Sequence, residues 1–163
     1  MIKLLPTLTF IAAIGAGLVG GVFFAFSNFV MAALARLPVP AGIAAMNSIN
    51  VTVINPWFMT VFMGTPVICA ILAVMAFLKW SEPGSAIILA ASLIYIVGSF
   101  VVTMVFNVPL NDALAAVTPA SGEGGALWTR YLSDWTFWNT VRTVLPLLAM
   151  VMFTCGLILR SGA

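Results

Sequence analysis

The stretch YLSDWTFWNTVRTVLPLLAMVMFTCGLIL, residues 131–159, joins an aromatic and polar head to a long apolar run. The run from 137 to 159 is long enough to cross a hydrocarbon core of ~30 Å, which takes roughly 20 helical residues. Three more stretches, at 5–34, 57–78 and 85–106, are similarly long and apolar. Hydrophobic residues make up 63% of the chain, against roughly 45–50% in soluble domains. The sequence therefore predicts an integral membrane protein.

The four apolar stretches predict an all-α, antiparallel membrane four-helix bundle that forms one domain over residues 1–163. They are continuous rather than alternating, which argues against a strand barrel. The turn KWSEPGS, residues 79–85, has the Pro-Gly pattern of a tight turn and makes the second and third helices neighbours. Short interfacial helices are expected in the first and third connections. Small residues at four-residue spacing predict a close helix contact within the bundle: Ala13, Gly17, Gly21 and Ala25.

The residues that are missing exclude several chemistries. The chain has no histidine, and its two cysteines, Cys69 and Cys155, fall inside separate spans, where buried thiols are the expectation. A transition-metal site, a haem with a histidine ligand and a Cys-x-x-Cys redox pair therefore lack their ligands. We predict no metal and no cofactor. The net charge of +2 comes from scattered cations, so no nucleic-acid partner is indicated.

The cations give little information on membrane orientation. With both termini on one side, that side holds Lys3, Lys79 and Arg160, and the other side holds Arg36, Arg130 and Arg142. This is a tie by the positive-inside rule. If Arg142 is set aside as buried, three against two favours cytoplasmic termini.

Polar residues gather at the end of the bundle opposite the termini. On the fourth helix, Tyr131, Trp135, Trp138 and Arg142 follow a four-three-four spacing that places them on one face, with Asn139 beside it. One interpretation is an aromatic belt with a snorkelling arginine at the membrane interface. The other is the wall of a ligand site, because Arg142 lies one to two turns inside the span.

The chemistry of this end suits a flat aromatic or quinone-like molecule. An arginine inside a membrane needs a carboxylate or a bound anion, and Asp112 or Asp134 could supply the carboxylate. Aromatic faces would stack on a ring, asparagine amides would hydrogen-bond carbonyls or phenols, and Arg142 would stabilise an enolate or phenolate. Asp112 is the best candidate for a general base. The alternative is a structural ion pair between Asp112 and an arginine.

Four motifs carry a resemblance to a known family. They are GGVFFAFSNFVMAAL at 20–34, MNSINVTVINPWFM at 46–59, FNVPLNDAL at 106–114, and W-x-x-Y-x-x-x-W-x-x-W-N-x-x-R at 128–142. In these the chain resembles the anthrone oxygenase-like family over nearly its whole length. The last two motifs together are the most specific.

The resemblance implies a small four-helix membrane protein. Some members of the family convert anthrones to anthraquinones without metal or flavin. By position, the implied candidates are Asp112 and Arg142 for catalysis and, for substrate binding, Asn107, Asn111, Trp128, Tyr131, Trp135 and Asn139. These roles rest on the chemistry of the side chains.

Two functions from different classes follow. The first is a cofactor-independent oxygenase acting on an anthrone-like or phenolic substrate in a bacterial cytoplasmic membrane. The alternative is a non-catalytic module that binds lipid or quinone, or an accessory subunit of a membrane complex. Membrane lipid, an aromatic or quinone-like molecule, and a homo-oligomer or larger complex are the expected partners. An enzyme needs Asp112 or another base facing the pocket, whereas a scaffold would bury Asp112 against an arginine and leave no cavity.

Overall fold

The computed structural model describes residues 4–162, so Lys3 lies outside the described residues. Within that range the chain is helical and contains no strand. Five helices follow in order: α1 Leu4–Leu34, α2 Val39–Thr52, α3 Pro56–Leu78, α4 Ser85–Ala116 and α5 Gly122–Ser161. All except α2 are long and apolar enough to cross a membrane. The predicted membrane four-helix bundle is confirmed.

The bundle is antiparallel, and each long helix packs against its neighbours: α1 against α3 and α5, and α4 against α3 and α5. Glycine permits the close α1–α5 contact, since a Cβ on Gly20 would lie 2.9 Å from Leu147 Cδ2. The predicted close contact is confirmed at Gly17, where a Cβ would lie 2.7 Å from Met150 Sδ, whereas Gly21 meets no neighbour within 4 Å. Cys69 is buried as expected, whereas Cys155 lies exposed on the outer face.

The helix ends follow from local sequence. Asn55 caps α3, its Oδ1 accepting a hydrogen bond from the Phe58 amide at 3.1 Å, and Pro56 follows at the first helical position. The α3–α4 turn uses Gly84 with a φ of 78°, a conformation that favours glycine. Ser121 caps α5 by accepting from the Gly124 amide at 3.0 Å.

The two connections at the site end differ from each other. The first contains α2, which packs against α5 and against the end of α4. In the third, the helix Val108–Ala116 is continuous with α4, and α5 begins already at Gly122, so the connection is reduced to residues 117–121. The polar residues predicted for this connection therefore lie on extensions of two spans, which fixes their faces.

Three π-helical segments occur at or toward this same end. One is Phe26–Val30 in α1, and two are Ile96–Val101 and Thr103–Asn107 in α4. Pro109 accounts for the last, since it has no N–H to donate to the Val105 carbonyl and so disturbs the turn before it. Such wide turns are frequent at functional sites and change which carbonyls lack a helical partner.

Candidate functional site

A buried arginine lies at the centre of the polar end. Arg142 is only 6% exposed. Its Nε donates a hydrogen bond to Asn139 Oδ1 at 3.0 Å, and its Nη1 donates to Thr103 Oγ1 at 3.2 Å. The guanidinium carbon lies 4.1 Å from the ring centroid of Phe23 and 4.9 Å from that of Trp135. Within residues 4–162 no carboxylate pairs with it, so aromatic faces and neutral oxygens surround the charge.

Asn139 holds this arginine in place and is itself held by α1. Its Nδ2 donates to the Phe23 carbonyl and to Ser27 Oγ, both at 2.7 Å. Because Arg142 Nε can only donate, the Asn139 atom that faces it must be the oxygen. The Phe23 carbonyl lies one turn before the π-helical segment of α1, where the backbone register changes. The amide therefore ties α1, α5 and the guanidinium together.

Next to the guanidinium is a cavity of about 210 Å³. All four long helices and α2 contribute to its lining, which is mostly apolar. Its aromatic side chains are Phe23, Phe26, Phe58, Phe62 and Trp135, and its polar side chains are Asn50, Thr103, Asn111 and Arg142. Some lining side chains, including Ile54 and Met104, are exposed on the outside of the protein. The cavity thus reaches the outer surface of the bundle.

Asn111 presents its amide nitrogen as a free donor at this cavity. Its Oδ1 accepts two hydrogen bonds, from Tyr131 Oη at 2.7 Å and from Trp135 Nε1 at 2.8 Å. An indole N–H can only donate, so this orientation of the amide is determined. The Nδ2 of Asn111 makes no hydrogen bond to another residue within 4–162, which leaves it available to a ligand.

A stack of aromatic rings supports the wall behind Trp135. Trp128 and Tyr131 lie 5.7 Å apart between ring centroids, and Tyr131 and Trp135 lie 5.8 Å apart, with nearly parallel planes in both pairs. Helix α2 closes on this stack, since a Cβ on Gly42 would lie 2.9 Å from Trp128 Cζ2. Trp128 and Tyr131 are fully packed and do not line the cavity.

The structure places the predicted site residues in three groups. Arg142, Asn111 and Trp135 line the cavity. Behind it are the buried Asn107, Asn139, Trp128 and Tyr131, and Asn107 Nδ2 donates to the Trp135 carbonyl at 3.2 Å. Asp112 is exposed and does not line the cavity. The roles assigned to these residues remain predictions.

The two acidic residues proposed as partners of Arg142 lie elsewhere. Asp134 pairs with Arg130 at 3.1 Å on an exposed face of α5, and Asp112 makes no ion pair within the described residues. Among residues 4–162 there is no cluster of His, Cys, Asp and Glu side chains that could hold a metal ion. The cavity lining contains no carboxylate.

Sequence reasoning missed most of the cavity wall. Phe23, Phe58 and Phe62 line it from α1 and α3, and Thr103 supplies an oxygen to Arg142. A signal was present: Phe58 and Phe62 are four apart, on one face of the helix that begins at the polar end, and their rings stack with centroids 5.7 Å apart. Aromatic residues at that spacing are common in any apolar span, so the pattern alone was not decisive.

Fold and site together define a small helical membrane protein with a positively charged, aromatic-walled cavity at one end of its bundle. The sequence model of the anthrone oxygenase family matches residues 58–152, more than half of the chain. The chain belongs to that family. The matched region includes Arg142, Asn139 and Asn111, but not α1 or α2. No curated protein matches the chain, and no solved structure does.

Proposed function

We propose that the protein is a cofactor-independent oxygenase that converts an anthrone-like or phenolic substrate to the corresponding quinone in the cavity beside Arg142. One observation carries the proposal: a buried guanidinium, without a carboxylate partner in residues 4–162, faces an aromatic cavity. An uncompensated charge in such a place is costly unless an anion shares the site. A substrate that becomes an anion during the reaction supplies that partner when it is needed.

The reaction balances with dioxygen as the only oxidant. Loss of a proton from the anthrone methylene gives an enolate whose oxygen lies against the Arg142 guanidinium. The enolate transfers one electron to dioxygen, and the carbon radical and superoxide combine. Protonation then gives a carbon-bound hydroperoxide. Loss of water from the H–C–O–OH group leaves a ketone, so one substrate and one dioxygen give one quinone and one water.

Arg142 supplies the electrostatic contribution to this scheme. Because the guanidinium is held by Asn139 and Thr103 before substrate binds, little reorganisation is needed when the enolate forms. In this scheme the oxyanion would form against the guanidinium, whose carbon lies 4.1 Å from the Phe23 ring centroid and 4.9 Å from that of Trp135. Stabilising the enolate also increases the fraction of substrate that can react with dioxygen.

Asp112 remains the proposed general base. It follows Asn111 in the chain but is exposed outside the cavity, so the proton would reach it through water at the cavity edge. Of the lining residues none is a carboxylate. The scheme therefore assigns most of the acceleration to the guanidinium and a smaller part to Asp112.

The substrate is proposed to come from the lipid phase. Ile54 and Met104 line the cavity and are exposed on the outer face, where the bilayer would contact them. We place the protein in a bacterial cytoplasmic membrane with cytoplasmic termini. Because Arg142 is buried, it is not counted in the positive-inside rule. The side of the termini then has three cations, Lys3, Lys79 and Arg160, and the other side has two, Arg36 and Arg130, which favours cytoplasmic termini.

A second candidate function is a membrane module that binds a quinone or lipid without turnover. The position of Asp112 favours it, since an enzyme that removes a proton from carbon is expected to place a base against its substrate. In this case Arg142 and Asn111 would hold a ligand oxygen, and no chemistry would follow.

The test is oxidation of anthrone by the purified protein in detergent with a metal chelator present. Oxygen uptake and anthraquinone absorbance are followed together, beside a blank without protein. The proposal predicts acceleration above the blank, with equal amounts of oxygen consumed and quinone formed. Asp112→Asn should slow the reaction, whereas Asp134→Asn, at an exposed carboxylate paired with Arg130, should not. Ligand binding without oxygen uptake would overturn the enzyme proposal and favour the binding module.

A further inference from the structure

Asn50 is a polar residue of the cavity wall that the proposed mechanism does not use. It lies on α2, whereas the family model matches only residues 58–152, so family membership implies no role for it. Its Nδ2 is buried and has no hydrogen-bond partner among the described residues. Its Oδ1 makes no hydrogen bond to another residue within 4–162 either, and it remains accessible. An amide with both polar atoms unpaired inside a folded protein requires an explanation.

The surroundings of Asn50 determine which way its amide is turned. The amide lies beside the Tyr131 hydroxyl. That hydroxyl donates its only hydrogen to Asn111 Oδ1 at 2.7 Å, so it can offer only lone pairs to Asn50. Lone pairs favour an N–H group opposite them, which places the Nδ2 of Asn50 on this side. The Oδ1 of Asn50 is therefore the atom that is turned toward the cavity, as a hydrogen-bond acceptor.

Asn50 and Asn111 together present one acceptor and one donor to the same part of the cavity. Asn111 Oδ1 is occupied by Tyr131 and Trp135, which leaves only the Nδ2 of Asn111 for a ligand. Both asparagines line the cavity and both flank the Tyr131 hydroxyl, so their free groups are neighbours. An O–H group can accept from the one and donate to the other, whereas a carbonyl or ether oxygen can only accept.

This pair of amides is separate from the donors of Arg142. The guanidinium carbon lies 4.9 Å from the ring centroid of Trp135, whereas Asn111 bonds to the N–H at the edge of the same indole. One ligand can therefore meet the guanidinium with one oxygen and the two asparagines with another. The cavity reaches the outer surface at Ile54 and Met104, so rings that these contacts do not hold can extend through that opening.

We infer that Asn50 and Asn111 form a subsite for a neutral hydroxyl group of the substrate, at a position other than the oxygen that faces Arg142. The inference rests on the proposed function, since it takes the cavity beside Arg142 as the substrate site. It adds a requirement that the proposed function does not contain: the aromatic substrate carries a free hydroxyl group in addition to the oxygen that becomes the enolate. Asn50 determines this specificity through its Oδ1.

Hydroxylated tetralones test the subsite, because they carry an aryl ketone and their binding requires no dioxygen. The hydroxyl is placed at three ring positions, in 5-, 6- and 7-hydroxy-1-tetralone, and each isomer is compared with its methoxy counterpart and with 1-tetralone. Dissociation constants are measured by calorimetry on the detergent-solubilised protein at mildly acidic pH, where the ring hydroxyls are neutral. We expect at least one hydroxy isomer to bind about tenfold tighter than both of its comparison compounds. No such preference for any isomer, or no binding at all, would overturn the inference.

Replacing Asn50 with leucine separates a role in ligand binding from a role in stability. Because neither polar atom of Asn50 has a partner within residues 4–162, Asn50→Leu should lose the hydroxyl preference and keep its free energy of unfolding. Asn47→Leu is the matched control on α2, since Asn47 does not line the cavity and its Nδ2 donates to the Leu114 carbonyl at 3.4 Å. The control should keep the hydroxyl preference. An Asn50→Leu protein that keeps the preference, or that is less stable than Asn47→Leu, would overturn the assignment.

The binding series and the turnover assay can fail separately. If a hydroxy isomer is preferred while anthrone is not oxidised above the blank, the hydroxyl subsite stands and the oxygenase proposal falls. If anthrone is oxidised while no isomer shows the preference, the oxygenase proposal stands and the hydroxyl subsite falls.

Discussion

Replacing Asn139 with leucine tests whether the amide connecting α1, α5 and Arg142 stabilises the bundle. The side chain is fully buried. Leucine has a similar volume but removes three hydrogen bonds: the donations to the Phe23 carbonyl and Ser27 Oγ at 2.7 Å, and the acceptance from Arg142 at 3.0 Å. Side-chain hydrogen bonds in membrane proteins average ~0.6 kcal/mol each. The free energy of unfolding should therefore fall by about 2 kcal/mol, and by more if the Arg142 Nε finds no new acceptor.

The assay is unfolding by SDS in mixed micelles, followed by tryptophan fluorescence. Thr154→Val is the matched control, since Thr154 lies exposed on the same helix and its hydroxyl bonds only to the Met150 carbonyl of its own helix. The control should stay within about 0.5 kcal/mol of the unmodified protein. An Asn139→Leu protein as stable as the control would refute the assignment of this amide as a structural link.

Two further predictions concern packing and pH. Gly156→Ala should destabilise the α4–α5 contact, because the new Cβ would lie 2.6 Å from Ile88 Cγ1. Gly21→Ala should be neutral or slightly stabilising, because its new Cβ would meet nothing within 4 Å. The free energies of unfolding of the two variants in SDS are compared. The hydrogen bond from Lys79 holds the pKa of Glu82 below its ordinary value of 4.5. The contribution of the ionised Glu82 to the free energy of unfolding is therefore fully present above pH 4.5. It is lost as the pH falls through the lower pKa of the folded state. Unfolding curves between neutral and acid pH should show this loss, and Glu82→Gln should remove that part of the pH dependence. A Glu82→Gln protein with an unchanged pH profile would contradict it.

The architecture could be predicted from sequence because the bilayer imposes simple constraints. Continuous apolar runs of sufficient length form spanning helices, and the turn around Gly84 sets which of them are neighbours. The predicted helix boundaries were less accurate at the polar end of the bundle. There α4 continues past its apolar residues to Ala116, and α5 begins before its apolar residues, at Gly122. Both extensions are possible because a helical backbone satisfies its own hydrogen bonds in water as well as in lipid.

The centre of the site was also predictable, whereas its walls were not. Arg142 and Trp135 were distinguished by their rarity and spacing in an apolar span. Phe23 and Phe62 are apolar residues among many, and only packing decides which of them face a cavity. The partner of Arg142 could not be predicted either, since a neutral Asn139 takes the place expected for a carboxylate. Asn139 lies only three residues before Arg142 on the same helix, but the contact with Thr103, 39 residues away on α4, depends on helix rotation, which the π-helical segments alter.

The most direct test of the proposed function compares the kcat/KM for anthrone oxidation by Arg142→Met with that by Arg130→Met, both measured above the spontaneous rate. Both variants remove one arginine from α5, but only Arg142 faces the cavity. Losing a preorganised oxyanion donor typically costs about 10²–10³ in rate. We expect a loss of that order for Arg142→Met and an unchanged rate for Arg130→Met. Equal rates for the two variants would contradict the claim that the buried guanidinium supplies most of the acceleration.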